Sequence, residues 1–563
     1  MSGVIDTVRE ARQRRTAPLV LELDLSHGLV DEPGDDPLSM LRAYRRTRLT
    51  DVLDGLRRAA ADRRVVALVA KIAPARLGLA KVQELRKAVL ALREAGTPTV
   101  AWAETYGEFG PGTVPYYLAS AFETVWVQPT GDLGLTGVAL EQRFLRDALD
   151  KIGVSPQVSA RQEYKNAPDM FTQRGFTGPH REAMARMIDS VTEQLVAGIA
   201  EARNLEPAAV RALVDRAPLT AAEAVEAGLV DRVGYRDEVY AAVRGQAGPE
   251  ARLLYLGRYR KAAAEQLASR VKGRRQQVVA LVNASGAIML GRSNRGPGPG
   301  GRAVGSDTVT AAFRAAVRDE HVRAILFRVD SPGGSYIASD AIWREVGLAR
   351  EAGKPVVVSM GNMAASGGYY VSMAADAIVA QPGTLTGSIG VFAGKAVTRE
   401  LEGKLGVARD AVTAGEHALM FSTGQPFSDE EWERLNAWLD RVYEDFVGKA
   451  AAGRGMDRDR LEALARGRVW TGADAAERGL VDELGGLRDA LALARKRAGL
   501  PDDAPLRRFP AASPLSRLRP PESSEDPAAA SARLSGWGSY AALAGRLGLP
   551  AAGPLYYPYG GIA

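Results

Sequence analysis

At 563 residues, with 46% hydrophobic and 25% charged side chains, the chain has material for several cored units and reads as globular. A net charge of +6 over that length, with no Lys/Arg block interleaved with aromatics, leaves no footprint for nucleic acid. The absence of cysteine excludes disulfides, thiol catalysis and thiolate metal sites, and His27, His180, His321 and His417 lack ligand spacing, so neither metal nor cofactor is expected.

In chain order, the N-terminal MSGVIDTVREARQRRTAPLVLELDL is basic and has no signal-peptide-like apolar core. No run of about eighteen apolar residues is present to span a bilayer. A cytoplasmic chain is expected. The basic patch leaves peripheral membrane contact open beside the plainer reading, a solvated helix face. From 18 to 250, β-branched strands (ALVAK, PTVAWA, TVWVQ) alternate with amphipathic helices such as LAKVQELRKAVLALREAG. Residues 251–275 read as a basic helical connector. From 276 to 500 the alternation returns (AILFRV, PVVVSM, AIVAQ, with the helix SDAIWREVGLAREAG), interrupted by the Gly/Pro loop NRGPGPGGR at 294–302. Strands separated by helices imply crossover connections and mainly parallel sheets, an α/β class. The Pro/Ala/Ser-rich tail, 501–563, is predicted to be disordered, and its ending, GPLYYPYGGIA, either docks on a partner or subunit or stays idle.

The two alternating segments are copies of one unit. GLVDRVGYRDEV (from 228) recurs as GLVDELGGLRDAL (from 479), an offset of 251 residues, and the Gln-Pro step at 128 recurs at 381, an offset of 253. REAGTPTVAWAE (from 93) recurs as REAGKPVVVSMG (from 350), and VVALVAKI (from 65) as VRAILFRV (from 322), both offset by 257. Ordered matches with drifting offsets mean duplication with small insertions, and units of this length are too long for a solenoid.

Two glycine-rich turns in the second copy carry chemistry. FRVDSPGGS (327–335) ends a strand in a turn whose Gly333 and Gly334 reach backbone conformations closed to other residues. GNMAASGGYY (361–370) presents Ser366 between small neighbours where a strand meets a helix start. Acyl transfer needs that pairing, a nucleophile beside amides able to hold an oxyanion. Taken singly, each turn has a plainer reading: Ser366 as a helix N-cap and Pro-Gly-Gly as an ordinary β-turn.

Together, DSPGGS, NMAASGGYY and QPGTLTGSIGV resemble the signal peptide peptidase A family, also called protease IV, in its long tandem-repeat form, over roughly 18–500. The resemblance implies two crotonase/Clp-like α/β domains, a Ser–Lys dyad, and a homo-oligomeric (tetrameric) bowl admitting short or unfolded hydrophobic peptides. It implies that Ser366 is the nucleophile, that the Gly334 and Gly367 N–H groups face the oxyanion, and that Ser388 orients the lysine. In the long form the base comes from a Tyr-Lys motif of the first repeat, and SARQEYKNAPDMF supplies Tyr164 and Lys165.

The repeat arithmetic supports a composite site. At the 253 offset Lys165 falls opposite Ala418, Ser366 opposite Thr113 and Ser388 opposite Leu135; at the 257 offset DSPGG falls opposite APARL (73–77), which has no glycine. The first copy keeps the base and lacks the nucleophile, and the second shows the reverse. Rival bases are Lys395 and Lys404, in a segment read as an exposed helix, and His417, beside the vacated lysine position. The expected activity is a serine endopeptidase degrading cleaved signal peptides or other short hydrophobic peptides. The alternatives are a crotonase-type acyl-CoA enzyme, which would need an acidic catalytic residue, and a non-catalytic membrane-associated scaffold with a fossil site.

Overall fold

The computed structural model describes residues 17–30, 47–72, 77–108, 110–261, 276–293 and 303–509, together with the backbone of Leu555–Tyr556. Valine-, isoleucine- and leucine-rich strands covered on both faces by helices build two mainly parallel sheets. The first orders Arg232–Val233, Thr124–Val127, Thr99–Ala103, Val65–Lys71, Leu19–Asp24 and Arg252–Tyr255, all parallel. The second repeats that order with Glu483–Leu484, Ala377–Ala380, Val356–Ala365, Val322–Ser331, Val278–Ser285 and Leu506–Arg508. The duplication in the sequence is therefore a duplication of strand order, and the α/β class with mainly parallel sheets is observed.

The long strand Val356–Ala365 forks. Its first half pairs with Ala377–Ala380, and its last residues, Met363 to Ala365, pair with Leu385–Gly387. The fork thus changes the partner of the strand just before Ser366.

Two large cores lie one in each repeat, and a smaller cluster bridges them: Ala183, Met184 and Met187 from the first pack with Met363, Ala365, Leu385 and Val469 from the second. The strand Ser155–Ala160 leaves its own repeat altogether and pairs antiparallel with Phe392–Val397 of the other. Arg186 meets the buried Asp474 at 2.7 Å, and the Ser190 and Thr471 hydroxyls are 2.8 Å apart. This docking carries the segment after Ala160 into the second repeat.

Three expectations change. Arg252–Tyr255, read as part of a helical connector, is an edge strand parallel to Leu19–Glu22; Leu256–Lys261 is helical, and 262–275 lies outside the described residues. The tail read as disordered from 501 contributes Leu506–Arg508 to the second sheet. In both places a short alternating segment gains its strand state from an open parallel edge, which local composition does not reveal. Lys395, assigned to an exposed helix, sits on the strand Phe392–Val397 with 7% exposure. The loop 294–302 and most of the last fifty residues also lie outside the described residues.

Candidate active site

Ser366 follows the last residue of its strand and precedes the short helix Gly367–Tyr370. Its backbone is held at φ 55°, ψ −115°, a strained setting for a residue with a side chain, while its N–H donates to Gly387 O at 2.8 Å. The side chain makes no helix-capping hydrogen bond, so the N-cap reading of this serine is set aside. Tyr369 and Tyr370 follow as Tyr116 and Tyr117 follow Thr113, again 253 residues apart, and Tyr369 and Tyr116 both donate to the carbonyl of the leucine in a Gly-Leu-Val-Asp turn, Leu480 and Leu229.

Lys165 lies 2.9 Å from Ser366 Oγ, 3.0 Å from Ser388 Oγ and 3.1 Å from Ser388 O, all measured from Nζ. It is 3% exposed, and burial pushes its pKa from 10.5 down to about 7. Backbone fit makes the approach possible. A Cβ on Gly467 would stand 2.5 Å from the Lys165 nitrogen, and one on Gly390 would stand 3.2 Å from its Cδ. Tyr164 N donates to Arg466 O, and the Arg466 guanidinium grips Glu163 through both carboxylate oxygens, at 2.8 and 2.9 Å. Ser388 is itself held at φ 52°, with its N–H on Arg468 O at 2.7 Å.

The glycine turn closes the site from the other side. Gly333 and Gly334 have φ of 96° and 154°, and a Cβ on Gly334 would sit 2.0 Å from Ile288 O. A Cβ on Gly367 would come within 3.0 Å of the Gly334 nitrogen, so the glycine turn passes directly against Gly367. Gly367 opens a helix, where N–H groups lack intrahelical partners. The edge Gly333–Gly334 also takes an antiparallel strand, Gly333 opposite Tyr556 and Gly334 opposite Leu555.

All five expected residues, Ser366, Lys165, Ser388, Gly334 and Gly367, thus come together. The rival bases go elsewhere. His417 faces Glu430 and Glu431, Lys404 pairs with Glu400 at 2.8 Å, and Lys395 donates to Met420 O at 2.7 Å over the Phe427 ring. By the elements flanking the vacated lysine position, the offset is 253 at Arg146/Arg399 and 251 at the caps Thr177/Ser428. The counterpart of Lys165 therefore falls within 416–418 (Glu416, His417, Ala418), which contains no lysine. Glu416, His417 and Glu430 have ligand atoms within 4.8 Å of one another, in an exposed cluster apart from the serine.

Sequence reasoning missed the cross-repeat supports. Lys81 Nζ is 3.1 Å from Asp330 Oδ2, and Asp330 Oδ1 accepts from Met363 N at 3.2 Å, so one carboxylate ties the glycine turn to the strand that leads to Ser366 and to the first repeat. Arg328 and Glu84 form a buried pair between repeats. The one available signal was the scarcity of lysine and the charged residues inside otherwise apolar runs.

The profile of Peptidase family S49 matches residues 91–249 and 348–501. The chain belongs to peptidase family S49. Among S49 relatives, the chloroplastic serine protease SPPA of Arabidopsis thaliana is 32% identical over 79% of this chain and 65% of its own length. Protease 4 of Salmonella typhi is 32% identical over 87% of this chain and 80% of its own. Protease 4 of Haemophilus influenzae is 31% identical over 75% and 68%. A mutant of the 1510-N membrane-bound stomatin-specific protease aligns over 42% of this chain and 99% of its own at 13% identity, with a TM-score of 0.27. S49 is a family of serine peptidases, and the two matched segments fall one in each repeat. Among the described residues no helix is long and apolar enough to cross a membrane.

Proposed function

We propose that the chain is a Ser–Lys endopeptidase whose base-bearing unit (18–250) and nucleophile-bearing unit (276–500) share one site, and that it degrades cleaved signal peptides or other short, hydrophobic, extended peptides. The observation that carries this reading is the 2.9 Å approach of a buried Lys165 amine to Ser366 Oγ. A neutral amine has two N–H donors and one lone pair. Ser388 O and Ser388 Oγ can take the two donors, leaving the lone pair for the Ser366 hydroxyl.

Lys165 then takes the hydroxyl proton as Ser366 Oγ bonds to the peptide carbonyl carbon, and the oxyanion lies against the Gly334 and Gly367 amides. The C–N bond breaks with the lysine ammonium protonating the leaving amine. Water, deprotonated by the restored amine, adds to the acyl-enzyme carbon and releases a carboxylic acid and free Ser366. The strand lane at Gly333–Gly334, which holds Leu555–Tyr556 in antiparallel pairing, supports an extended peptide as substrate. The acyl-CoA reading would need an acid at the serine; the small pocket beside Ser388 and Tyr164 is walled by Asn166, Ala167, Ala183, Met184, Gly467 and Val469, and the Glu182 carboxylate accepts from Tyr164 Oη and Arg468 instead of lining it. The chain is also read as a homo-oligomer.

Hydrolysis of a fluorogenic hydrophobic peptide by wild type, Ser366→Ala and Lys165→Ala tests the reading. Loss in both variants is expected; full activity in either removes that residue from the mechanism, and a wild type that turns over acyl-CoA but no peptide overturns the assignment.

A further inference from the structure

Two tyrosines leave opposite walls of the site and end on one oxygen. Tyr336 stands two residues past Gly334, at the start of the helix Tyr336–Glu351, and Tyr370 stands three past Gly367, at the end of the short helix that Ser366 precedes. Their hydroxyls both donate to Asp445 Oδ2, at 2.8 and 2.7 Å, and their rings meet edge to face with centroids 5.8 Å apart. Lys449 spends its three N–H groups on Asp445 Oδ2 at 3.0 Å, Asp340 Oδ1 at 2.5 Å and the Tyr370 oxygen at 2.9 Å. Burial works against the Asp445 charge, and the bonds from Tyr370, Lys449 and Tyr336 outweigh it and hold the carboxyl below its ordinary pKa. Burial first, and then the bond to Asp445, raises both phenols, so each stays a donor.

The other copy shows that the fold does not need this cluster. The helices Leu79–Glu94 and Tyr336–Glu351 match at the 257 offset, and Gly178–Arg203 and Asp429–Arg454 match at 251. Tyr336, Asp340, Asp445 and Lys449 therefore correspond to Leu79, Gln83, Gln194 and Gly198, while Tyr370 has its counterpart in Tyr117. In the first copy the two amides bond each other, Gln83 Nε2 donating to Gln194 Oε1 at 2.9 Å, and no carboxylate stands at either position. Tyr117 lies against Gly198, where a Cβ would come within 2.5 Å of the ring, and under the Arg86 guanidinium, 3.9 Å from its centroid. The copy that lacks the nucleophile and the glycine turn thus also lacks the carboxylate pair and the tyrosine that would reach it from the turn.

We propose that Asp445, backed by Lys449, is a positioning residue for the oxyanion hole: by accepting from Tyr336 and Tyr370 at one oxygen, it fixes the turn that carries Gly334 against the helix that begins at Gly367. The two elements touch at Gly367, where a Cβ would come within 3.0 Å of Gly334 N and 2.8 Å of Ser339 Oγ, and the clamp ties them again at the phenol ends. One contact leaves the pair free to pivot. A second removes that freedom, so the N–H groups need no reorganisation when the oxyanion forms. The inference rests on the proposed Ser366 chemistry and adds to it the means by which the oxyanion donors are held.

The test is kinetic. The kcat and KM for a fluorogenic hydrophobic peptide, with the rate of Ser366 labelling by a fluorophosphonate, are measured in wild type, Tyr336→Phe, Tyr370→Phe, Asp445→Ala and both Phe variants in the Asp445→Ala background. Expected for Asp445→Ala is a loss of about tenfold in kcat with KM held within about twofold, the signature of an interaction felt in the transition state. The inflection near pH 7 set by Lys165 stays in place, which a general loosening of the site would shift. Each Phe substitution lowers kcat on its own and lowers it no further once Asp445 is gone. Unchanged kcat in Asp445→Ala, or Phe losses that multiply undiminished in its background, overturns the clamp. The Phe variants keep both rings, so full kcat in the Tyr336→Phe, Tyr370→Phe double variant overturns it even where Asp445→Ala fails to fold. A wild type that neither cleaves peptide nor takes the label overturns the Ser366 reading itself, whereas an active, labelled wild type with unaltered variants overturns only the clamp.

Discussion

The Arg328 guanidinium, on the strand that leads to the glycine turn, meets the Glu84 carboxylate of the other repeat at 2.7 Å, with side-chain exposures of 2% and 1%. Glu84 also accepts from Leu487 N at 3.0 Å, and Arg328 donates to Ser359 Oγ and Met360 O. A charge pair this dry holds two repeats in register; removing one partner leaves the other charge buried without its counter-ion. Glu84→Ala is expected to lower stability by about 3–5 kcal/mol, read from denaturant midpoints. The double variant Glu84→Leu, Arg328→Met is expected to recover part of that loss; no difference between single and double variants would deny the coupling.

Lys81 and Asp330 act closer to the proposed chemistry, since their pair, 12% and 17% exposed, pins the glycine turn to the strand that leads to Ser366. Lys81→Met should slow peptide turnover roughly tenfold by letting the oxyanion amides drift, with little change in melting temperature. Unchanged kcat/KM would show that the turn holds its shape without the first repeat.

Glycine at 467 is required by the close passage of the Lys165 backbone, its φ being 81° and its virtual Cβ 2.5 Å from the Lys165 nitrogen. Gly467→Ala is expected to reduce activity by at least about 100-fold while the far-ultraviolet circular dichroism stays native-like, because the shift displaces the base rather than a core. Wild-type activity in this variant would mean that Lys165 is not held where it matters.

Stability should also depend on pH through Lys165. Its folded pKa of about 7 lies below the ordinary 10.5, so between those values the unfolded chain holds a proton that the folded chain has released. Stability contributed by this group therefore rises with pH across that window. Lys165→Met is expected to be more stable than wild type near pH 7 and to show a flatter rise; parallel curves for the two proteins would contradict a depressed lysine.

Much of the site was legible because it rests on short chain-local signals. DSPGGS and NMAASGGYY announce glycine turns, and the duplication shows that Lys165 and Ser366 survive in different copies. Illegible were the contacts between copies. The strand Ser155–Ala160 reads as SPQVSA, with a proline and little hydrophobic character, and takes its strand state from Phe392–Val397. Lys395 reads as a surface residue and becomes buried by that same pairing. Arg252–Tyr255 looked like the start of a basic helix, and an open sheet edge made it a strand. In each case partners more than two hundred residues away decide the outcome, and nothing periodic marks them in advance.

The most direct measurement is the rate of Ser366 acylation by a fluorophosphonate as a function of pH, in wild type and in Lys165→Ala. With Lys165 as the base, the wild-type rate rises with pH and reaches half its plateau near 7, the value to which burial brings the amine. The variant loses that inflection and reacts at least about 100-fold more slowly. Equal rates with the same inflection in both proteins would contradict a base supplied to Ser366 by the other repeat.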